Sequence, residues 1–226
     1  MNNQLATHEK YQELVKLYPQ MHSWLSNITK GERPLKSRYN YYDKNLWKPL
    51  KDIITYIKSK EQKSKLDEIF LECCYVGKIY RVLNYNPRKK AYIYASGNYQ
   101  SWSKLEGIQE VIGKGYSCES IQHLIVCGNV KEDDFAVDIF EVISFIFTFF
   151  PNEVYEYSEK RSFEEGLEEN KFKPENLERY IKEYEIVASI REDIIEDVVI
   201  VRGKFVNNDE IAGESVPRTK WFRKSF

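Results

Sequence analysis

"KIYRVLNY", residues 78–85, is the stretch on which the fold turns. It is short, rich in β-branched and aromatic residues, and alternates like a β-strand whose successive side chains take opposite faces. Gly77 stands just before it and marks a change of pattern. Upstream the spacing is helical. Leu14, Leu17, Tyr18 and Met21 recur along one face over 8–30, with Pro19 as an expected break. "GERPLKSRYNYYD" at 31–43 reads as a loop ending in Asp43, an expected cap for a helix over 44–60. Leu46, Leu50, Ile53, Ile54 and Ile57 form the buried stripe of that helix. A further helix is expected over 62–74, which makes 1–75 a helical N-terminal part.

Downstream of Gly77 strands dominate. "NPRKK" turns into a second strand, "AYIYASG" at 91–97, and residues 104–114 predict a short helix. "IQHLIVCGNV" at 121–130 is strand-like. "DDFAVDIFEVISFIFTFFP" at 133–151 fits either a capped helix stopped by Pro151 or two buried strands, and periodicity does not decide between them. "EEGLEENKFKPENLERYIK" at 164–182 is acidic and reads as part helix, part loop. "EYEIVASI" at 183–190 and "IIEDVVIVRG" at 194–203 are strands, and "PRTKWFRKSF" at 217–226 is a basic, aromatic tail. Helices followed by a run of strands give an α+β fold.

The bulk numbers set limits. A chain of 226 residues, 42% hydrophobic and 15% aromatic, is one medium domain or a domain with an appendage, and it can bury a real core. The start carries no charged, apolar, small-residue leader, and the longest apolar run, "FIFTFF" at 145–150, is too short to span a bilayer. A soluble cytoplasmic protein with no membrane partner is expected. Cys73 and Cys74 are adjacent, Cys118 and Cys127 lie apart, and His8, His22 and His123 are scattered. Reduced, packed thiols and no metal site are therefore expected.

The net charge of −1 conceals an asymmetry. Residues 1–104 hold 19 Lys/Arg and 9 Asp/Glu, a net of +10; residues 105–226 hold 15 and 26, a net of −11. In "KSRYNYYDKNLWK" at 36–48, cations alternate with aromatics. Such a pattern suits a polyanion held by phosphate contacts and base stacking, and equally a solvated helical surface anchored by core aromatics.

Three short patterns then stand in order. Tyr80 and Arg81 lie inside the first strand, Ser101, Trp102 and Ser103 form "SWS" after the strand pair, and Glu183 and Glu185 form an E-x-E at the head of a later strand. Side chains two apart in a strand share a face, so the two carboxylates sit about 7 Å apart on one side. Taken alone the pair is also what the wet face of an amphipathic strand presents. Together the three patterns resemble the arginine–serine–glutamate, cholera-toxin-like class of ADP-ribosyltransferases, in particular its small phage and bacterial members. The resemblance covers roughly residues 76–205. Val82 stands where members often have Gly, and "ASIRED" follows the E-x-E strand where a P-x-G turn is common.

The resemblance implies a core of two packed small β-sheets with flanking helices over 76–212, beside the helical 1–75 and the tail 213–226. It implies NAD as the donor substrate, with Glu185 stabilising the cationic ribose and Glu183 steering the acceptor. Arg81 would grip the phosphates, Ser101 would hold Glu185 or the ribose, and Ser103 would support the same strand. Tyr80, Tyr99 or Trp102 would stack on nicotinamide, and each equally fits a place in the core. The implied acceptor is a protein arginine. Alternatives are nucleic acid modified by the same site, or a non-enzymatic protein that binds nucleic acid or another partner. A phage modifier or a toxin of an antiphage system, with a cognate antitoxin or inhibitor protein, is the setting implied.

Overall fold

The computed structural model describes residues 2–28, 40–85, 99–108, 122–156, 185–189, 193–202 and 213–221. The longer helices of these segments are α1 (Asn2–Lys16), α2 (Tyr18–Ile28), α3 (Lys48–Lys58), α4 (Lys65–Leu71) and α5 (Ile139–Phe149), and residues 105–108 and 151–156 are helical as well. The strands are β1 (Gly77–Asn84), β2 (Tyr99–Ser103), β3 (Gln122–Val130), β4 (Ala136–Asp138), β5 (Glu185–Ser189), β6 (Ile195–Arg202) and β7 (Glu214–Ser215). Helices and antiparallel sheet together make the fold α+β. The chain divides into two compact units, Met1–Cys74 with Val137–Ile181, and Tyr75–Ala136 with Lys182–Phe226. The expected unbroken domain over 76–212 is thus interrupted, because Val137–Ile181 belongs with the N-terminal helices.

The first unit is helical. The expected break falls at Leu17, and Pro19 enters the first turn of α2, where its missing N–H leaves no bond unmade. The stripe Leu46, Leu50, Ile53, Ile54 and Ile57 is buried as expected. Asp43 is not a cap, because the chain is already helical from residue 40. Instead Asp43–Trp47 forms a wide turn in which Lys48 N donates to Asp43 O, and α3 continues directly from it. The helix expected over 62–74 is shorter: Ser64 caps α4 in a reciprocal box with Asp67. Asp138 resolves the ambiguous stretch in favour of a helix, since its carboxylate accepts from Phe140 N at 3.1 Å and Glu141 N at 3.4 Å. The helix ends at Phe149, with Phe150 out of helical conformation just before Pro151 as expected, and Pro151 opens a further helical stretch over 151–156.

Aromatic packing holds this unit together. Tyr11 stacks on Phe150 at 5.5 Å and meets Phe70 edge-on at 5.9 Å. Its hydroxyl donates to Asp67 Oδ1 at 2.9 Å. Asp67 is wholly buried. Its Oδ2 also accepts from Lys60 Nζ, from Ser64 N at 2.7 Å and from Ser64 Oγ at 2.8 Å. Burial pushes this carboxyl up, but the bonds from Lys60, Ser64 and Tyr11 outweigh it and hold the carboxyl below the ordinary value.

The second unit is built on a sheet. Within this unit the described strands form one sheet in the order β5-β2-β1-β3-β6-β7, where two small packed sheets were expected. The continuity comes from β3, which pairs antiparallel with β1 along its length and with β6 on its other edge. A register shift between Cys127 and Gly128 bends the ladder without breaking it. One face carries Ile79, Trp102, Leu124, Val126, Ile186, Ala188 and Val198 in a buried cluster, and the other carries Ile125, Val199 and Val201 with Ile108. Apolar packing on both faces explains why these strands read as near-continuous hydrophobic runs. The described part of the expected tail belongs to this core: Trp221 is buried and its Nε1 donates to Val216 O at 2.7 Å.

Candidate functional site

Sheet order decides which motif residues meet. The strand with Arg81, the strand with the two serines and the strand with Glu185 are immediate neighbours, β1, β2 and β5. Residues far apart in sequence become adjacent because β2 lies between the other two. The register is specific: Ser103 pairs with both Tyr80 on β1 and Glu185 on β5. Directly paired residues of antiparallel strands project to the same face. Glu185, Ser103 and Tyr80 therefore form a cross-strand row, with strands about 4.8 Å apart. Ser101 lies on the same face one pleat along, opposite Val187.

The row runs further than the motifs. Tyr80 pairs with Cys127 on β3, and Cys127 with Asp197 on β6. Neither was singled out from sequence, although both sit at alternate positions of strands that were recognised. Burial, reinforced by Asp197 and Glu196, pushes the Cys127 thiol up to about 12. Burial also raises the Tyr80 phenol, with Cys127, Tyr75, Glu196 and Glu106 adding to it. Asp197 Oδ2 accepts from Ser215 Oγ at 2.9 Å, which ties this end of the row to β7.

Glu185 is 2% exposed and Ser103 is 8% exposed, so the carboxylate end of the row is the more enclosed. Glu185 is engaged by neighbouring groups there. Glu183 lies outside the described residues. Arg81 departs from the expected convergence. It pairs with Val126, and Val126 belongs to the cluster on the opposite face. One residue along a strand reverses the face, so Arg81 projects away from Glu185 and Ser103. Trp102, expected as a stacking partner, is 1% exposed and packs in that same cluster.

A carboxylate beside a hydroxyl in an enclosed row can stabilise positive charge that develops next to it. Among the described residues no three His, Cys, Asp or Glu side chains stand together as a metal-binding group. Among the described residues no helix is long and apolar enough to cross a membrane. No protein-family model, curated protein or solved structure matches the chain.

Proposed function

We propose that the chain is a mono-ADP-ribosyltransferase that moves ADP-ribose from NAD to an intracellular macromolecule, with a protein arginine as acceptor. The observation that carries this reading is the row Glu185–Ser103–Tyr80 on the three neighbouring strands β5, β2 and β1. Ser103 of the S-x-S pattern is paired directly with Glu185 of the E-x-E pattern, which a chance occurrence of either would not require.

The chemistry suits such a row. The C1′–N bond breaks and its electron pair leaves with nicotinamide, which departs neutral and needs no general acid. Positive charge grows on the ribose, and a nearby carboxylate lowers that barrier. Glu185 takes this part, and an enclosed position strengthens its effect. Ser103 and Ser101 orient the carboxylate or the ribose hydroxyls, and Tyr80 supplies a ring beside them. The acceptor nitrogen then bonds to C1′ and gives up its proton, the part expected of Glu183. Arg81 has no part in this scheme, because it faces the other way.

Charge beside the reacting carbon favours a cationic acceptor. The cross-strand row itself carries two carboxyl side chains, Glu185 and Asp197. It attracts a guanidinium and repels phosphate.

The test is release of nicotinamide and transfer of label from radiolabelled NAD in a cell extract, followed by separate protease and nuclease treatment. Wild-type protein should release nicotinamide and give protease-sensitive label. Glu185→Gln should cut the rate by about two to three orders of magnitude while the protein stays folded. Absence of turnover by the wild type, or full activity in Glu185→Gln, would sink the proposal. Label removed by nuclease alone would move the acceptor to nucleic acid.

A further inference from the structure

The helical path through residues 40–58 has two faces of different chemistry. Leu46, Leu50, Ile53, Ile54 and Ile57 are buried, and this fixes the rotation of the helix. Tyr41, Lys44, Lys48, Lys51, Thr55 and Lys58 are all exposed. Within α3 the spacing of Lys48, Lys51, Thr55 and Lys58 by 3, 4 and 3 residues places them in one line along the outer face, about 15 Å long at 1.5 Å per residue, and the wide turn before it exposes Lys44, with Tyr41 exposed just ahead of it. Asp52 is the one exposed acidic residue on this path. Among the described residues no carboxylate lies within ion-pair distance of Lys44, Lys48 or Lys51.

Tyr41 stands ahead of the line, 50% exposed, and it is held from behind. Its ring meets Tyr42 edge-on at 5.5 Å. Tyr42 is itself buried and shares a hydrogen bond with Ser23 Oγ at 2.9 Å. Asn45 Nδ2 donates to Tyr41 O at 2.8 Å. An exposed aromatic ring on a fixed base, continued by lysines about 5–6 Å apart, matches a chain that alternates a flat base with a repeating negative charge.

We propose that this face of the helix binds the backbone of single-stranded nucleic acid, with Lys44, Lys48 and Lys51 on successive phosphates and Tyr41 under a base. The inference stands on the first unit alone and does not depend on the transferase reading, so Glu185→Gln should bind the same strand as the wild type does.

Fluorescence anisotropy with a labelled RNA strand of about twelve nucleotides tests it. Three phosphate contacts on a single strand predict a slope of about −2.1 in log K against log salt. Affinity should therefore fall about 18-fold between about 50 and 200 mM salt. Replacing Lys44, Lys48 and Lys51 together by Ala should bring the slope close to zero. Tyr41→Ala should weaken binding by about tenfold with the slope unchanged. All four positions are exposed, so the variants keep the fold, which circular dichroism would verify. No binding at about 100 μM protein in low salt, or equal affinity and slope in the triple variant, would overturn the proposal. So would sedimentation showing that the lysines mediate self-association while RNA stays unbound.

Discussion

Replacing Asp67 by Ala should destabilise the first unit by more than any single surface change. The carboxylate is 0% exposed and Lys60 is 16% exposed, so the pair is desolvated. Its removal strands the Lys60 ammonium and the Tyr11 hydroxyl, and it opens the box that caps α4. Breaking a buried pair by deleting one partner costs about 3–5 kcal/mol, and the cap contributes about 1 kcal/mol of that. Against a usual domain stability of about 5–15 kcal/mol this is a large fraction. At about 2 kcal/mol per molar urea the midpoint falls by roughly 2 M. Helices α1 to α5 all belong to the first unit, whereas the described helical residues of the second are 105–108, so the far-UV helical signal during urea titration reports mainly on the first.

Two controls apportion the effect. Tyr11→Phe keeps the ring contacts and should cost about 1–2 kcal/mol, and Ser64→Ala about 1 kcal/mol. The pH dependence has a definite sign. The carboxyl is depressed in the folded state, so its contribution is full above the ordinary value of 3.8. That contribution is lost as pH falls through the lower folded value, and the gap between wild type and Asp67→Ala should close in acid. A difference under about 1 kcal/mol at neutral pH would refute the argument from a buried, fully bonded carboxylate.

Three further outcomes are expected. Arg81→Lys should leave the apparent affinity for NAD within about twofold, since Arg81 faces away from Glu185; a fall of tenfold or more would return the phosphate contact to it. Gly77 has φ of +128°, so Gly77→Ala should cost about 1–2 kcal/mol in a urea titration followed by tryptophan fluorescence, and an unchanged midpoint would count against strain there. Cys127, with its thiol near 12, should be alkylated at pH 8 about three orders of magnitude more slowly than a free thiol, and faster as pH rises. Peptide mapping by mass spectrometry after iodoacetamide would read this, and ordinary reactivity at pH 8 would contradict a desolvated thiol.

Much of the fold is legible in local pattern. The stripe from Leu46 to Ile57 and the alternation in 78–85 and 121–130 announce a helix and two strands, because one-sided burial stamps a period on the sequence. The stretch 133–151 is not legible that way. Its helix is mostly apolar, with only Glu141, Ser144 and Thr148 as polar residues on the exposed side, so its period is weak, and the cap at Asp138 is the feature that tells it from strand. The single sheet is also hidden, because strand order depends on pairings between residues distant in sequence. The site is half legible for the same reason. The S-x-S and E-x-E patterns name strands that do pair, whereas the face on which Arg81 falls depends on a one-residue register that no motif encodes. Glu183 and the second expected strand at 91–97 lie outside the described residues.

The interleaving of the two units bears on how the protein is made. A ribosome delivers β1, β2 and β3 early, but β5, which pairs with β2 from Tyr99↔Ser189 to Ser103↔Glu185, follows only after the whole of Val137–Ile181. At about 5–20 residues per second that interval is several seconds. During it β2 is an edge strand with open backbone groups, and Trp102 lacks its eventual neighbour Ile186. The nascent chain thus carries a sticky intermediate of fixed minimum lifetime. Slowing translation between β3 and β5 should raise its yield of aggregate, and no single cut of the gene yields both units as intact, separately expressible fragments.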